Sequence, residues 1–254
     1  RAWLYGVIAV ALAMAVYWPL HQAWFFSDDL MHLAEIAGEP LWLAVLRPFG
    51  GHNYLVRNLV MAASWELFGL HAEWYFWVVL LTHALNTALL FAIVRRLVGS
   101  PLLACLGAAL WGTSPLAAGT LGWYSAYGHV LVASCLLLVL HDLVRRVDTG
   151  GTITERVVIA WGAILLAGTT CFGVGIGVAL GFPAVIFLLD PSVWSRRRTR
   201  RWLLAFPFVT LTVYLALRHG FMVLEPLSVE ETLHERYLGP AVSVFVPMLQ
   251  HLIG

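Results

Sequence analysis

The sequence predicts an all-α, polytopic membrane protein with about seven to eight transmembrane helices and two interfacial amphipathic helices in the first outer loop. Hydrophobic residues make up 61% of the 254 residues and charged residues only 11%, against roughly 45–50% and about 25% in soluble domains. The mean hydropathy of +0.83 is too high for one buried core, so the excess must face lipid. Apolar runs also recur at about the 20 residues that a helix needs to cross a bilayer.

Seven apolar runs are the predicted membrane-spanning helices, and an eighth is expected to begin near Ala241. The glycine-rich stretch 173–181 predicts a loosely helical segment or a tight turn. Because the sequence starts and stops inside apolar runs, we expect residues 1–254 to be one transmembrane module from a longer chain. The predicted spans are Trp3–Leu20, Trp74–Val98, Leu102–Leu121, Gly128–Val147, Val157–Val174, Val178–Leu189 and Trp202–Leu217.

The arginines predict the orientation, because cytoplasmic loops collect positive charge. With Arg1 in the cytoplasm, eleven of the 15 basic residues lie inside and ten of the 14 acids outside. Residues 194–201 then form a basic cytoplasmic loop facing anionic lipid, and residues 221–240 form an outer loop. The net charge of +1 argues against a nucleic-acid partner. Arginine as the sole basic residue and three unpaired cysteines favour a bacterial inner membrane, with the site facing the periplasm.

The first outer loop, residues 22–73, is too apolar for an ordinary loop and predicts two amphipathic helices in the membrane interface. In the first helix, Asp28, His32, Glu35 and Glu39 follow at i, i+4, i+7 and i+11, which places them on one face. The second is predicted over Tyr54–Leu70, after a turn-rich joint at residues 47–53.

Adjacent carboxylates at Asp28 and Asp29 directly follow the first span. Two like charges this close raise one pKa, which suits a general base or a metal ligand. A divalent cation is therefore an open possibility as cofactor, although no metal-ligand set is predicted. The alternative is structural: Ser27 as helix N-cap, with the two acids favoured in the first turn by the helix dipole.

Four cationic or titratable side chains share this outer segment with the carboxylates: His32, Arg47, His52 and Arg57. Arginine beside a carboxylate suits the binding of a phosphate group. A carboxylate to activate a hydroxyl and cations to hold an anionic leaving group suit sugar transfer from a lipid phosphate. For each residue alone, a surface ion pair is the alternative interpretation.

The order of these features resembles a known family. Asp28-Asp29 after the first span, interfacial helices holding Arg47-Pro48, and a span containing His83, Asn86 and Arg95-Arg96 resemble the GT-C superfamily of glycosyltransferases that use polyprenyl-phosphate sugars. The likeness lies near its protein O-mannosyltransferase-like branch and covers residues 1 to about 220, the amino-terminal membrane module of that fold. It implies that Asp28 or Asp29 is the catalytic base, that the anomeric carbon inverts, and that an isoprenoid phosphate leaves.

The sequence departs from that branch at two polar positions. Relatives often carry His-Pro and then Glu after the third span, where this chain has Ser114-Pro115 and no acid before Gly119. A Lys-Glu pair of the family corresponds here to Phe172-Gly173. The string at residues 123–129 could substitute for these groups, with Tyr124 and His129 as candidate substrate-binding residues. An interfacial aromatic belt is the alternative interpretation of its rings.

Two other functions are consistent with the same sequence. A non-catalytic relative could bind lipid-linked sugar, or serve as a scaffold for other membrane subunits. A secondary transporter would place the glycine-rich segment in a broken helix, and would be favoured if His83 or Asp142 faced a central cavity. For His83 and Asn86 we expect hydrogen bonds between helices instead, and for His141 and Asp142 solvation near the headgroups.

Overall fold

The computed structural model describes residues 2–49 and 52–224, and the regular elements in this part of the chain are all helical, which confirms the all-α prediction there. A 3-10 helix at Trp18–Gln22 continues α1, and others follow at Pro115–Ala117, Tyr124–Tyr127 and Pro191–Ser195. The α-helices are α1 Ala2–Tyr17, α2 Asp28–Gly38, α3 Leu41–Leu46, α4 Leu55–Phe68, α5 Ala72–Val98, α6 Pro101–Gly112, α7 Ala118–Gly122, α8 Gly128–Asp148, α9 Glu155–Thr169, α10 Val174–Leu189 and α11 Arg197–Leu224.

Four segments of the described chain are long and apolar enough to cross a membrane. They are Ala2–Gln22, Ala72–Val98, Pro101–Gly122 and Arg197–Gly220. The other predicted spans correspond to α8, α9 and α10, and the last two have only 15 and 16 residues, short of the roughly 20 that a span needs. The count of seven to eight therefore stays a prediction. The expected eighth span, near Ala241, lies outside the described residues.

The long helices form two groups that are joined through the contact between α5 and α8. Helices α1, α5 and α6 pack together, α8 packs on α5, and α9, α10 and α11 pack around one another beside α8. Small residues permit close backbone approach: a Cβ on Gly128 would lie 2.1 Å from the Cys171 carbonyl oxygen, and one on Gly175 would lie 2.2 Å from that of Gly168. Such contacts are typical of helix packing in membranes, where small side chains let backbones meet.

Hydrogen bonds and ion pairs define two opposite ends of the bundle. At the end we call outer, α2–α4 lie over the segment 114–127 and the α9–α10 turn, as in the bond from the Val56 amide to the Thr170 carbonyl (3.2 Å). At the inner end, Arg96 reaches Asp148 (2.5 Å) and Arg196 reaches the Ile153 carbonyl (3.3 Å). The charges therefore lie at two separate ends of the bundle.

The predicted third span corresponds to Pro101–Gly122, which is long and apolar enough to cross a membrane, and within it a 3-10 turn separates α6 from α7. The structure corrects three local predictions. The glycine-rich stretch is a regular helix from Val174 onward, with Pro183 inside it. The first outer loop holds three helices rather than two, since α3 separates α2 from α4. Helix α11 extends to Leu224, into the expected outer loop, and the rest of that loop lies outside the described residues.

Candidate functional site

Asp29 joins the start of α2 to the loop that follows α7. Its carboxylate is fully buried and accepts four hydrogen bonds. One oxygen accepts from the amides of Phe26 (3.0 Å) and Tyr124 (3.3 Å), and the other from the Ser125 amide and hydroxyl (both 2.5 Å). Burial raises the pKa of Asp29, while the bonds from Ser125 and Phe26 oppose that rise. Both oxygens are therefore occupied, so Asp29 has no free oxygen to act as a base or metal ligand.

Asp28 is the half-buried neighbour with a free oxygen. The indole N–H of Trp123 donates to Asp28 Oδ1 over 2.9 Å, and no hydrogen bond to Oδ2 occurs within residues 2–49 and 52–224. The sequence left the choice between the two acids open; the accessible oxygen favours Asp28.

Ser27, just before this pair, does not cap α2 as the structural alternative required. Its side chain makes no cap hydrogen bond, and its backbone lies at φ 54°, ψ −125°. No other non-glycine residue in the described chain has a positive φ. Backbone conformations of this kind cost about 1–3 kcal/mol and cluster at functional sites. The strained turn sets the direction in which the chain enters α2 at Asp28.

Arg57 is a buried cation in the layer beneath the two acids, only 3% exposed. Its Nε and Nη2 donate to Asn58 Oδ1 (3.0 and 2.7 Å), and its Nη1 donates to the Ser125 carbonyl (3.3 Å). The guanidinium also lies 4.3 Å from the Tyr54 ring centroid. No carboxylate of the described residues forms an ion pair with it, although Asp28, Glu35 and Asp29 act on it electrostatically. Burial lowers the pKa of Arg57 to about 10, so it stays charged at neutral pH.

His32 links Arg57 to a second cation. Its Nε2 lies 3.3 Å from Arg57 Nη2, and its Nδ1 lies 3.6 Å from Glu35. Glu35 in turn lies 3.6 Å from Arg47, whose Nη1 donates to Glu39 over 2.7 Å. Arg47, predicted as a phosphate ligand, is therefore buried beside two carboxylates. These two carboxylates already balance the positive charge of its guanidinium group.

His52 and His129 lie in a neighbouring aromatic cluster, not beside Asp28. The His52 Nδ1 lies 3.3 Å from the Tyr214 hydroxyl of α11, and the His129 ring lies 3.6 Å from that of Phe172. Tyr54 joins this cluster to the Arg57 site, because its ring also lies 5.2 Å from Phe172. Phe172 thus packs between the ring of His129, a predicted substrate-binding residue, and the ring of Tyr54.

Tyr124 faces the core with its ring. The ring is 2% exposed and stacks on Tyr127, and its hydroxyl lies 3.0 Å from Ser64 Oγ. Only its backbone amide reaches the acidic pair, through Asp29.

The most informative site residues that the sequence did not single out are Trp123, Ser125 and Asn58. Trp123 and Ser125 lie in the same polar string as Tyr124, and Asn58 directly follows Arg57. The sequence shows that these residues are neighbours of predicted site residues. Which of them form hydrogen bonds with the charged side chains depends on tertiary contacts. Within the described chain, no group of three or more His, Cys, Asp and Glu side chains could hold a metal ion.

The polar residues inside the bundle bond to neighbouring helices, as expected. His83 Nε2 bonds the Gly112 carbonyl (2.8 Å), and Asn86 donates to that of Val130 (3.0 Å). Both line a cavity of about 110 Å³, below the roughly 300 Å³ of the smallest typical ligand pockets. Asp142 is held by Arg145, Arg146 and Trp161 at 2.6–3.0 Å. These contacts give the transporter interpretation no support.

Comparison with known proteins gives no relative: no family model matches the chain, and neither a curated protein nor a solved structure matches it significantly.

Proposed function

We propose that this chain is the membrane module of a GT-C-like glycosyltransferase that transfers sugar from a polyprenyl phosphate on the non-cytoplasmic side. The carrying observation is the environment of Asp28. It has one oxygen held by Trp123 and one oxygen free, and it lies six residues after the end of a helical segment long enough to cross a membrane, Ala2–Gln22. A carboxylate in that position can accept a proton from a hydroxyl group while the sugar donor stays anchored in lipid.

In this mechanism Asp28 Oδ2 takes the proton of the acceptor hydroxyl. The hydroxyl oxygen forms a bond to the anomeric carbon as the bond from that carbon to the phosphate oxygen breaks. The electron pair leaves with the isoprenoid phosphate, and the configuration at the anomeric carbon inverts. Trp123 orients the base, because its N–H fixes the other carboxylate oxygen.

Arg57 contributes a positive potential behind the base. Negative charge grows on the phosphate as it leaves, and a fixed cation in a water-poor site stabilises that charge. Arg57 suits this role because no carboxylate of the described residues pairs with its guanidinium, whereas Arg47 lies beside Glu35 and Glu39. An open cleft of about 630 Å³, lined by Trp24, His71 and Glu73, lies at the same end of the bundle, between the end of the first span and the start of α5.

The test is turnover of a polyprenyl-phosphate sugar by the purified chain, measured as release of polyprenyl phosphate. Asp28→Asn keeps the shape and the bond to Trp123 but cannot take a proton, so we expect turnover to fall about 10²–10⁴-fold. Glu66→Gln is the matched control: it removes another exposed acid of the outer layer and should leave turnover unchanged. Full turnover in a folded Asp28→Asn variant would remove Asp28 from the mechanism.

A non-catalytic subunit that binds lipid-linked sugar is the second candidate. The observation in its favour is that Asp29, Arg47 and Arg57 are all bonded within the protein, as in a structural layer. Binding of the donor by the parent protein without release of polyprenyl phosphate would support this candidate and contradict the enzyme proposal.

A further inference from the structure

A cavity of about 210 Å³ lies between α9 and α11, and it shares no lining residue with the outer-end site around Asp28. Its lining is apolar and recurs at i, i+4 and i+8 on each helix, so the cavity runs lengthwise for about 12 Å. The residues that line the cavity include Val158, Gly162 and Leu166 of α9 and Trp202, Phe206 and Thr210 of α11. The lining residues therefore form a lengthwise apolar groove between the two helices.

The groove exists because α9 presents small residues at its centre. A Cβ on Gly162 would lie 3.0 Å from the Phe206 ring, so that ring rests directly on the α9 backbone. Ala163, the next residue, is exposed and lines the groove as well. A larger side chain at either position would fill the space between the two helices.

Positive charge collects at the inner end of this groove. Both helices begin there, α9 at Glu155 and α11 at Arg197, and a helix N-terminus carries partial positive charge. Arg198 lies one turn before Trp202, with a side chain that is 83% exposed and 3.7 Å from Glu155. Arg156 precedes the groove by less than one turn, is exposed, and forms no ion pair with the described residues.

The whole inner end has the same sign. Ten arginines lie there against four acids, and each acid already contacts arginine: Asp142, Asp148, Glu155 and Asp190. The remaining charge can be balanced only from outside these residues. Guanidinium groups match phosphate oxygens in geometry as well as in charge.

We infer that this groove binds one anionic phospholipid, with an acyl chain between α9 and α11 and the headgroup phosphate at Arg156 and Arg198. The apolar groove matches the acyl chain of such a lipid, and the arginines at the inner end of the groove match its headgroup phosphate. The site lies at the end opposite Asp28, so it stands whether or not the proposed transferase activity is correct.

Native mass spectrometry of the purified chain in detergent, titrated with phosphatidylglycerol or phosphatidylcholine, tests the headgroup. We expect tighter binding of phosphatidylglycerol, and about a fivefold loss for each arginine removed. The double variant Arg156→Ala/Arg198→Ala should therefore bind phosphatidylglycerol about 25-fold more weakly and lose most of its preference over phosphatidylcholine, whose phosphate is balanced by its own choline cation. Equal affinity for both lipids in the parent, or an unchanged double variant, would overturn the headgroup assignment.

A matched pair of substitutions on α9 tests the groove. Ala163→Trp fills it, whereas Ala160→Trp adds the same side chain at an exposed position that does not line it. We expect Ala163→Trp to weaken both lipids about tenfold, as if about two methylene groups were no longer buried, and Ala160→Trp to have no effect. Equal effects of the two folded variants, or cross-linking of the groove to the chain's own residues 241–254, would show that no lipid chain lies there.

Discussion

At the outer end the titratable side chains of Asp29, His32 and Arg57 are buried, whereas at the inner end the side chain of Arg198 is 83% exposed. The outer charges bond to backbone amides, carbonyls and one another. The inner charges form ion pairs such as Arg145–Asp142 and Arg96–Asp148 on the surface of the helices. The same residue types are therefore buried and hydrogen-bonded at the outer end, whereas at the inner end they are exposed and give a net positive charge.

This difference determines what a substitution should do. Removing one partner of a buried charged network leaves other polar groups without bonds and costs about 3–5 kcal/mol. An exposed ion pair contributes only about 0–1 kcal/mol, because water and salt screen it. Changes in the free energy of unfolding should therefore be large at the outer end and small at the inner end. Changes in turnover or lipid binding should come from the accessible groups, which are Asp28 at the outer end and the arginines at the inner end.

The largest effect on stability is expected at Asp29. Asp29→Ala leaves three backbone amides and the Ser125 hydroxyl without their acceptor, and should lower the free energy of unfolding by about 3–5 kcal/mol. Asp28→Ala, which loses a single bond from Trp123, should change it by less than about 1 kcal/mol. Equilibrium unfolding in mixed detergent measures both. Equal losses of unfolding free energy in the two variants would contradict a structural role for Asp29 and an accessible, weakly bonded Asp28.

A second comparison uses one arginine from each end. Arg57→Ala removes the bonds to Asn58 and Ser125 and the contact with Tyr54, and should lower the free energy of unfolding by about 3 kcal/mol. Arg198→Ala should change it by less than about 1 kcal/mol, since its one ion pair spans 3.7 Å at the surface. A large loss for Arg198→Ala would mean that the inner arginines support the fold.

The helical class and most helix positions could be predicted from apolar run length, because a helix that crosses lipid must satisfy its own backbone groups. The local sequence pattern did not predict those features of the helices that depend on tertiary contacts. The break after Gly112 coincides with the polar stretch Thr113-Ser114-Pro115, but the length of the apolar run alone did not separate α6 from α7, and the segment after the break brings Ser125 to Asp29. In the Gly-rich stretch, Gly175 lies against the backbone of Gly168 in α9, a tertiary contact that a periodicity argument cannot detect.

The candidate site was only partly predictable for the same reason. The acids, His32 and Arg57 are close in sequence, and the spacing at i and i+4 brought Asp28 and His32 to one face. Which acid stays accessible depends on Trp123 and Ser125, which lie 95 and 96 residues away from their partners. Nothing in the sequence near residue 28 specifies those contacts.

A smaller, pH-dependent effect is expected from His32. Burial lowers the pKa of His32 below its usual 6.5, with Arg57 adding to that shift and Glu35 opposing it. For Arg57 Nη2 to donate to it over 3.3 Å, His32 Nε2 must carry no proton. The unfolded chain therefore binds a proton more readily than the folded one as the pH falls through 6.5. The stability that neutral His32 supports should be present above that pH and lost below it, down to the lowered pKa.

His32→Gln tests this linkage, because glutamine can accept from Arg57 but does not titrate. Unfolding free energies measured between pH 8 and about 5 should fall more steeply for the parent than for His32→Gln, with the two curves diverging below pH 6.5. Carboxylates contribute equally to both proteins, so the difference between the curves isolates the histidine. Parallel curves would mean that folding leaves the pKa of His32 unchanged, so that the folded protein takes up a second positive charge beside Arg57 as readily as the unfolded chain.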